Sequence, residues 1–202
     1  MDNQALLKTS VKYGTIAGVG SIIIFFLLYF LHHNPLGNWG WIGAWIPILF
    51  IVLGIREHRN NDLGGYMTYG RGLGVGMMIS LFTGILFCLF VYTFSNFFDA
   101  SILQMQKDDV IIQMQAIDEN KDTMVKIIGE KKFDESMEAL QKAHDEMTMA
   151  QVAGAQFEVK LFGGLLVSLI AAGFLKKKRS VFDDFTNTSP PSPPAPPTNA
   201  TV

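Results

Sequence analysis

Three long stretches of this sequence contain no Asp, Glu, Lys or Arg: residues 13–55, 72–98 and 161–175. A helix needs about 20 mostly apolar residues to cross a bilayer, so charge-free stretches of this length argue against a single soluble domain. The first stretch has room for two spans, because the turn-forming segment HHNPLGN divides it. The sequence therefore predicts four membrane spans, at about 11–32, 39–55, 72–95 and 157–175.

Residues and motifs that serve in catalysis or metal binding are also scarce. Cys88 is the only cysteine, so no disulfide can form within the chain. No H-E-x-x-H, G-x-S-x-G or Cys/His metal-binding spacing occurs. No ionisable residue is expected near the middle of a span, and Lys160 is expected at the end of the fourth span, with its amine extended to the interface. These absences predict that the protein is not an enzyme and has no catalytic, cofactor-binding or metal-binding residues.

The segment YGRGLGVGMMISLFTG at 69–84 has five glycines and the composition of a phosphate-binding loop. A dinucleotide fingerprint needs a third glycine where Val75 or Met77 stands, and a phosphate loop needs a lysine that is absent. Small residues instead recur every fourth position, a spacing that lets membrane helices approach closely, within the chain or between two copies. The candidate helix-packing residues are Gly14, Gly18, Gly72, Gly76, Ser80, Gly84, Gly164, Ser168 and Ala172.

The first and third spans begin with a shared pattern, Y-G-x-x-x-G-V-G, which starts at Tyr13 and at Tyr69. Both copies enter a span in the same direction, so the pattern indicates two helical hairpins related by a pseudo-twofold axis along the membrane normal. Five of the eight positions match, and three of those five are glycine. Convergence on one packing motif is therefore the alternative explanation.

Lysines and arginines in the short loops indicate the orientation of a membrane protein. Two lysines precede the first span, three arginines lie between the second and third spans, and KKKR at 176–179 follows the fourth. The loop at 32–41 contains neither residue. This distribution predicts that both termini are cytoplasmic and that the segment at 97–155 is extracytoplasmic.

The insert at 97–155 contains no arginine and no proline, and its twelve acidic residues and six lysines give a formal charge of −6. Its apolar residues recur at helical spacing with a break at Gly129, which predicts an antiparallel hairpin of two helices, the second continuous with span four. A Met-rich seam on the second helix is either the core of the hairpin or a face for a partner. The candidate partner-face residues are Met137, Leu140, His144 and Met147.

The segment at 180–202 is polar and then proline-rich, ending in SPPSPPAPPTNATV. This composition cannot bury enough apolar surface to fold, and polyproline II is the expected local conformation. We therefore expect a disordered cytoplasmic tail that follows a membrane domain at 1–179. A ligand for a proline-reading domain is the alternative.

The segments KYGTIAGVGSIIIF and IREHRNNDLGGYMTYGRGLGVGMMISL, followed by the acidic insert and KKKR, resemble a bacterial membrane-protein family catalogued as domain of unknown function 4199. The resemblance covers roughly residues 6–179, and LGGYMTYGRGLGVG is its most specific part. It implies four spans in the inner membrane of Gram-negative bacteria. It implies no activity and supplies no catalytic residues.

The favoured hypothesis is an all-α integral inner-membrane protein, a four-helix bundle that serves as a non-enzymatic scaffold or accessory subunit. Its outer hairpin would contact a membrane-protein partner or a second copy. The alternative is a small transporter or channel-like protein built from two repeated hairpins, because the glycines and Pro47 would let the spans rearrange. The lipid bilayer is a further expected partner, and no cofactor is expected. No nucleic-acid partner is expected either, since the net charge is only −2.

Overall fold

The computed structural model describes residues 3–177. Over that range the chain is all-α, with seven α-helices and no strand. The helices are α1 (Asn3–Phe30), α2 (Trp41–Glu57), α3 (Tyr69–Phe97), α4 (Ser101–Glu119), α5 (Lys121–Ile128), α6 (Glu130–Asp145) and α7 (Met149–Leu175). The predicted disordered tail at 180–202 lies outside the described residues.

Four helical segments are long and apolar enough to cross a membrane. They are Asn3–Phe30, Asn38–Asp62, Tyr69–Phe97 and Met149–Leu175. Each has 25 to 29 residues and is therefore about 37–43 Å long, more than the roughly 30 Å of a hydrocarbon core. Each predicted span overlaps one of these segments.

The four long helices form a bundle in which α3 packs against α1, α2 and α7. Lys12 of α1 pairs with Glu57 at the end of α2, and the backbone of Met67 before α3 pairs with that of Lys177 after α7. These contacts bring the starts of α1 and α3 together with the ends of α2 and α7, and we call this the charged end. The opposite end, from which α4–α6 project, is the insert end.

Two kinds of side chain fill the bundle core. At the insert end, Phe25 is buried and packs edge-on against Phe90 and Phe94, with ring centroids 5.1 and 5.5 Å away. Nearer the charged end the core is aliphatic and includes Ile55 and Ile79, both fully buried. Large rings thus hold the helices together at the insert end, whereas glycines allow a closer approach between α3 and its neighbours toward the charged end.

The insert contains three helices, so the prediction of two is wrong. Asn120 leaves the helical conformation, and its side-chain amide donates to the carbonyl of Ala116 at 2.8 Å, which ends α4. The predicted break at Gly129 is present, with φ +86°, a conformation that glycine adopts far more readily than other residues. The third helix, α6, packs against both α4 and α5.

The start of α7 also differs from the prediction. The hydroxyl of Thr148 accepts a hydrogen bond from the backbone N–H of Gln151, and the Gln151 side chain accepts one from the backbone N–H of Thr148. This reciprocal cap begins α7 at Met149, eight residues before the predicted span. It also separates α6 from α7, so the last helix of the insert is not continuous with the fourth span.

Candidate functional site

A reciprocal crossing of small residues joins α3 and α7. A Cβ on Gly76 would lie 2.7 Å from the Cβ of Ser168, and one on Gly164 would overlap Ser80. Each serine donates to the carbonyl four residues earlier in its own helix, at 2.9 Å for Ser80 and 2.6 Å for Ser168. The hydroxyls are therefore satisfied inside an interface that has no room for a larger side chain.

The α3 ridge continues on both sides of this crossing. A Cβ on Gly72 would lie 3.1 Å from the Cβ of Ala172, and one on Gly84 would lie 2.9 Å from the ring of Phe157. Both distances are shorter than an ordinary van der Waals contact, so glycine is required at each position unless the neighbour moves. All of the small residues proposed for α3 and α7 thus lie where those two helices meet.

The two glycines proposed for α1 lie against α3. A Cβ on Gly14 would lie 2.6 Å from the Cβ of Phe82, and one on Gly18 would lie 2.6 Å from a methyl carbon of Leu86. The hydroxyl of Thr83, which is fully buried, lies within hydrogen-bonding distance of the Gly14 carbonyl at 3.1 Å. Sequence analysis missed this interhelical hydrogen bond, because a threonine in an apolar span carries no spacing signal of its own.

The two copies of the Y-G-x-x-x-G-V-G pattern have different surroundings. Gly14 and Gly18 of the first copy face α3, whereas a Cβ on Gly70 or Gly74, their counterparts in the second copy, would meet no atom within 4 Å. Equivalent positions of the two copies therefore do not make equivalent contacts. The pseudo-twofold relation between two hairpins stays a prediction.

A polar cluster joins the helices at the charged end. The chain after α2 forms a π-helical turn, which directs His58 into the protein, where it is 0% exposed. Its Nδ1 lies 2.7 Å from a carboxylate oxygen of Asp62, which also accepts from the hydroxyl of Thr9 at 3.1 Å. The Nε of Arg71 donates to the Nε2 of His58 at 3.4 Å. Because arginine can only donate, Nε2 is the acceptor and the imidazole proton resides on Nδ1.

Two further contacts extend the cluster to α1 and α7. Glu57 accepts from the amine of Lys12 at 2.8 Å and from the hydroxyl of Tyr13 at 2.5 Å. Arg59 donates to the carbonyl of Leu175, the last residue of α7, at 3.3 Å. Together with the buried imidazole, these contacts tie the ends of the long helices to one another. A polar groove of about 470 Å³ lies beside the cluster, against the first turns of α1.

The charged-end cluster has the geometry of a structural network. Both ring nitrogens of His58 are engaged, so the imidazole has no lone pair left for a metal ion or a substrate proton. Across residues 3–177, no three His, Cys, Asp or Glu side chains come together in a way that could hold a metal ion. Sequence analysis did not single out His58 or anticipate its burial. The available signal was the four-residue spacing from His58 to Asp62, which aligns two side chains on a helical turn.

Lys160 lies well inside α7, whereas the sequence predicted it at the end of the fourth span, with its amine extended to the interface. It is the twelfth of 27 residues in α7, and its Cβ lies 3.7 Å from where a Cβ on Gly84, near the middle of α3, would be. Its amine lies 4.3 Å from the ring centre of Phe87. Its position within the helix was not foreseen, because the capping residues begin α7 earlier than the hydropathy of the sequence indicated. Lys160 is thus a half-buried ionisable residue on a long apolar helix, beside the middle of α3.

The insert presents two kinds of apolar surface. The seam proposed as a partner face is half-buried at all four positions: Met137, Leu140, His144 and Met147. More exposed apolar side chains lie instead on the first two insert helices, where Ile112 is 58% exposed and Ile127 is 73% exposed. Sequence analysis did not single out these isoleucines, because helical periodicity alone does not tell which stripe a neighbouring helix covers.

Four membrane-length helices, small-residue packing and a helical insert define an all-α, multi-pass membrane protein. The chain belongs to the family described as protein of unknown function (DUF4199), whose family model matches residues 12–177. The family resemblance seen in the sequence is thereby confirmed, and the matched range contains all helices from α2 to α7. No curated protein and no solved structure matches the chain.

Proposed function

We propose that the protein is a non-enzymatic scaffold or accessory subunit of the bacterial inner membrane. The observation that carries this proposal is the exposed apolar surface of the insert, which includes Ile112 and Ile127. Exposed apolar surface rimmed by charge is typical of protein interaction sites. The closely packed crossing of α3 and α7 supports the same proposal, because it leaves no solute path between those helices.

The proposed partner is a membrane protein or a second copy of this chain, bound through an extracytoplasmic helical hairpin. In that hairpin α4 and α5 form one arm and α6 the other, an arrangement supported by the packing of α6 against both. The exposed isoleucines would form the centre of the contact, and the half-buried seam from Met137 to Met147 would form its edge. Acidic side chains around this surface would favour a partner with basic groups at its rim.

Site-specific photo-crosslinking in native membranes tests this proposal. A crosslinker at Ile127 should give one discrete adduct, either a dimer or a complex with a single partner, whereas the same crosslinker at the exposed Gln113 should give none. Ile112→Asp should abolish the adduct formed from position 127. The proposal fails if neither isoleucine position gives an adduct and the purified protein is strictly monomeric.

We propose further that the charged end is cytoplasmic and the insert extracytoplasmic. The loop between α1 and α2 contains no Lys or Arg, which supports this orientation. The basic residues of the charged end include Lys8, Lys12, Arg56, Arg59, Arg71, Lys176 and Lys177. Reporter fusions at Asn120 and after Arg179 should therefore lie on opposite sides of the membrane, and finding both on one side would contradict the proposed topology.

A small transporter or channel-like protein is the second candidate, and Lys160 is the observation that favours it. Ionisable residues inside spanning helices commonly mark solute pathways, and Pro47 removes a backbone hydrogen bond from α2. A cysteine placed at the buried Thr83, in a Cys88→Ser background, distinguishes the two functions. Labelling by a water-soluble thiol reagent would support the transporter, whereas complete protection from both sides would support the scaffold.

A further inference from the structure

A crevice opens at the insert end among α1, α2 and α7, under the loop that joins α1 to α2. Its volume is about 390 Å³, and Gln156 and the loop residues Pro35 and Gly37 are part of its lining. A second groove, of about 280 Å³, lies between α2 and α7. Ala44 and Lys160 line both cavities. The two therefore adjoin, and the second is apolar apart from Lys160 and opens on the outer face of the bundle between α2 and α7.

The groove between α2 and α7 has the lining that a hydrocarbon chain requires. Apart from Lys160, its walls are aliphatic side chains, proline and glycine, including Ile48, Pro47 and Val167. A Cβ on Gly163 would meet no atom within 4 Å, so the groove is open where it passes this side of α7. An extended alkyl chain would bury apolar surface there without displacing any side chain.

Among the described residues, Lys160 supplies the only charge along this path. Neither cavity is lined by a carboxylate. The amine faces the ring of Phe87, and no ion pair or hydrogen bond to it occurs anywhere in the described range 3–177. Lys160 is half-buried. A cation withdrawn from water is costly unless an anion accompanies it, and a single aromatic face offsets only part of that cost. The site is therefore complementary to a negatively charged group.

The depth of Lys160 selects the kind of anion. Phe87 is ten residues from Phe97, the last residue of α3, which places the amine about 15 Å inside that end of the helix. The headgroup of a bilayer phospholipid lies outside a hydrocarbon core about 30 Å thick. A bulky phosphodiester headgroup would have to leave the interface to meet this amine, whereas a carboxylate at the end of one chain is small enough to enter the crevice.

We propose that this path binds a long-chain fatty acid, with its carboxylate on the amine of Lys160 and its chain in the groove between α2 and α7. The charge pair fixes the position of the head, and the apolar walls beside Pro47 accommodate the tail. This site lies among the long helices and is independent of the partner surface on the insert. It can therefore be present whether or not the scaffold proposal holds.

Native mass spectrometry of the full chain in a neutral detergent tests the proposal with three probes: oleate, oleyl alcohol and phosphatidylglycerol. One oleate should bind per chain, at least about tenfold more tightly than oleyl alcohol, because only oleate carries the charge. Phosphatidylglycerol should bind more weakly than oleate. Equal binding of oleate and oleyl alcohol overturns the role of the charge, and tighter binding of phosphatidylglycerol overturns the assignment to a fatty acid.

Two variants separate the head site from the tail site. Lys160→Gln should weaken oleate binding about tenfold and should abolish the rise in melting temperature that oleate causes in the unaltered protein. Gly163→Leu should also weaken binding, because its side chain would occupy the groove. Gly173→Leu is the matched control, since a Cβ at this α7 position also meets nothing within 4 Å and the residue lies outside both cavities.

The outcomes of the variant experiments are distinguishable. Unchanged oleate affinity in a folded Lys160→Gln protein overturns the proposal. Equal oleate affinity in the Gly163→Leu and Gly173→Leu proteins overturns the placement of the chain. Should Lys160→Gln fail to fold, the Gly163→Leu and Gly173→Leu pair, with oleyl alcohol as the uncharged probe, still decides both points.

Discussion

Gly163 and Gly164 are adjacent on α7, yet their surroundings are opposite. A Cβ on Gly164 would overlap Ser80 of α3, whereas a Cβ on Gly163 would meet no atom within 4 Å. The side of α7 that faces α3 is therefore closed, and the side that lies along the groove next to α2 is open. A glycine in a spanning helix can thus either permit close packing or leave a space, and only its direction on the helix decides which.

Polar contacts fasten both ends of the bundle. At the charged end, Arg59 beyond α2 donates to the carbonyl of Leu175, and the backbones of Met67 and Lys177 exchange two hydrogen bonds. At the insert end, Asn34 in the loop after α1 donates to a carboxylate oxygen of Asp109 in α4 at 2.8 Å. The groove between α2 and α7 thus lies in a bundle whose two ends are fastened by polar contacts.

The largest effect is expected where the closed side is overfilled. Gly76→Leu should lower the free energy of unfolding by about 3 kcal/mol, because the new side chain would displace Ser168 and force α3 from α7. Gly74→Leu is the matched control and should change stability by less than about 0.5 kcal/mol, since nothing lies near that position. Thermal unfolding in detergent measures both. Equal stability of the two variants would contradict the assignment of a closed side.

A smaller loss is expected from the cluster that holds the charged end. His58→Ala should cost about 2 kcal/mol, because it leaves a cavity and removes a hydrogen-bond partner from both Asp62 and Arg71. Lys12→Met should cost less, since it breaks only an exposed ion pair. Chemical denaturation in mixed micelles compares the two variants. A greater loss for Lys12→Met would show that the buried imidazole is not the centre of the cluster.

Alanine substitutions measure the contrast between Gly163 and Gly164, because each adds a single methyl group. Gly164→Ala should destabilise the protein by about 1 kcal/mol, whereas Gly163→Ala should not, because only the first new methyl group meets Ser80. In a double-mutant cycle, Ser80→Gly should recover most of the loss caused by Gly164→Ala. Additive losses in that cycle would mean that the two residues do not oppose each other across the interface.

Sequence reasoning succeeded where a property extends over many residues. Charge-free runs located the four long helices, and four-residue spacing placed Gly76 and Ser80 on one ridge. Sequence reasoning failed where the direction of a side chain or the position of a helix cap decides which contacts form. Neither the burial of His58 nor the depth of Lys160 follows from hydropathy, because one depends on a π-helical turn and the other on a cap at Thr148. The two copies of Y-G-x-x-x-G-V-G likewise share a sequence pattern but differ in their contacts, so the motif alone does not predict which neighbour its residues pack against.

The smallest predicted effect concerns a single hydrogen bond at the insert end. The hydroxyl of Tyr29 in α1 donates to Asp99 at 2.6 Å, and the backbone N–H of Ser101 donates to the other carboxylate oxygen at 2.8 Å. Both bonds lower the pKa of Asp99 below its ordinary value, and the bond from Tyr29 has the larger effect. Because the folded-state pKa is the lower one, this contribution to stability is present above about pH 4 and is lost as the pH falls through the folded-state pKa.

Tyr29→Phe should therefore lower the melting temperature slightly at pH 7 and should make it fall less steeply on acidification than in the unaltered protein. Tyr92→Phe on α3 is the control, because the structure shows no hydrogen bond from its exposed side chain. Melting temperatures measured from pH 3 to pH 7 report the difference. Parallel profiles for all three proteins would mean that Tyr29 does not stabilise the ionised form of Asp99. The insert end would then depend on its packed phenylalanine rings rather than on this polar contact.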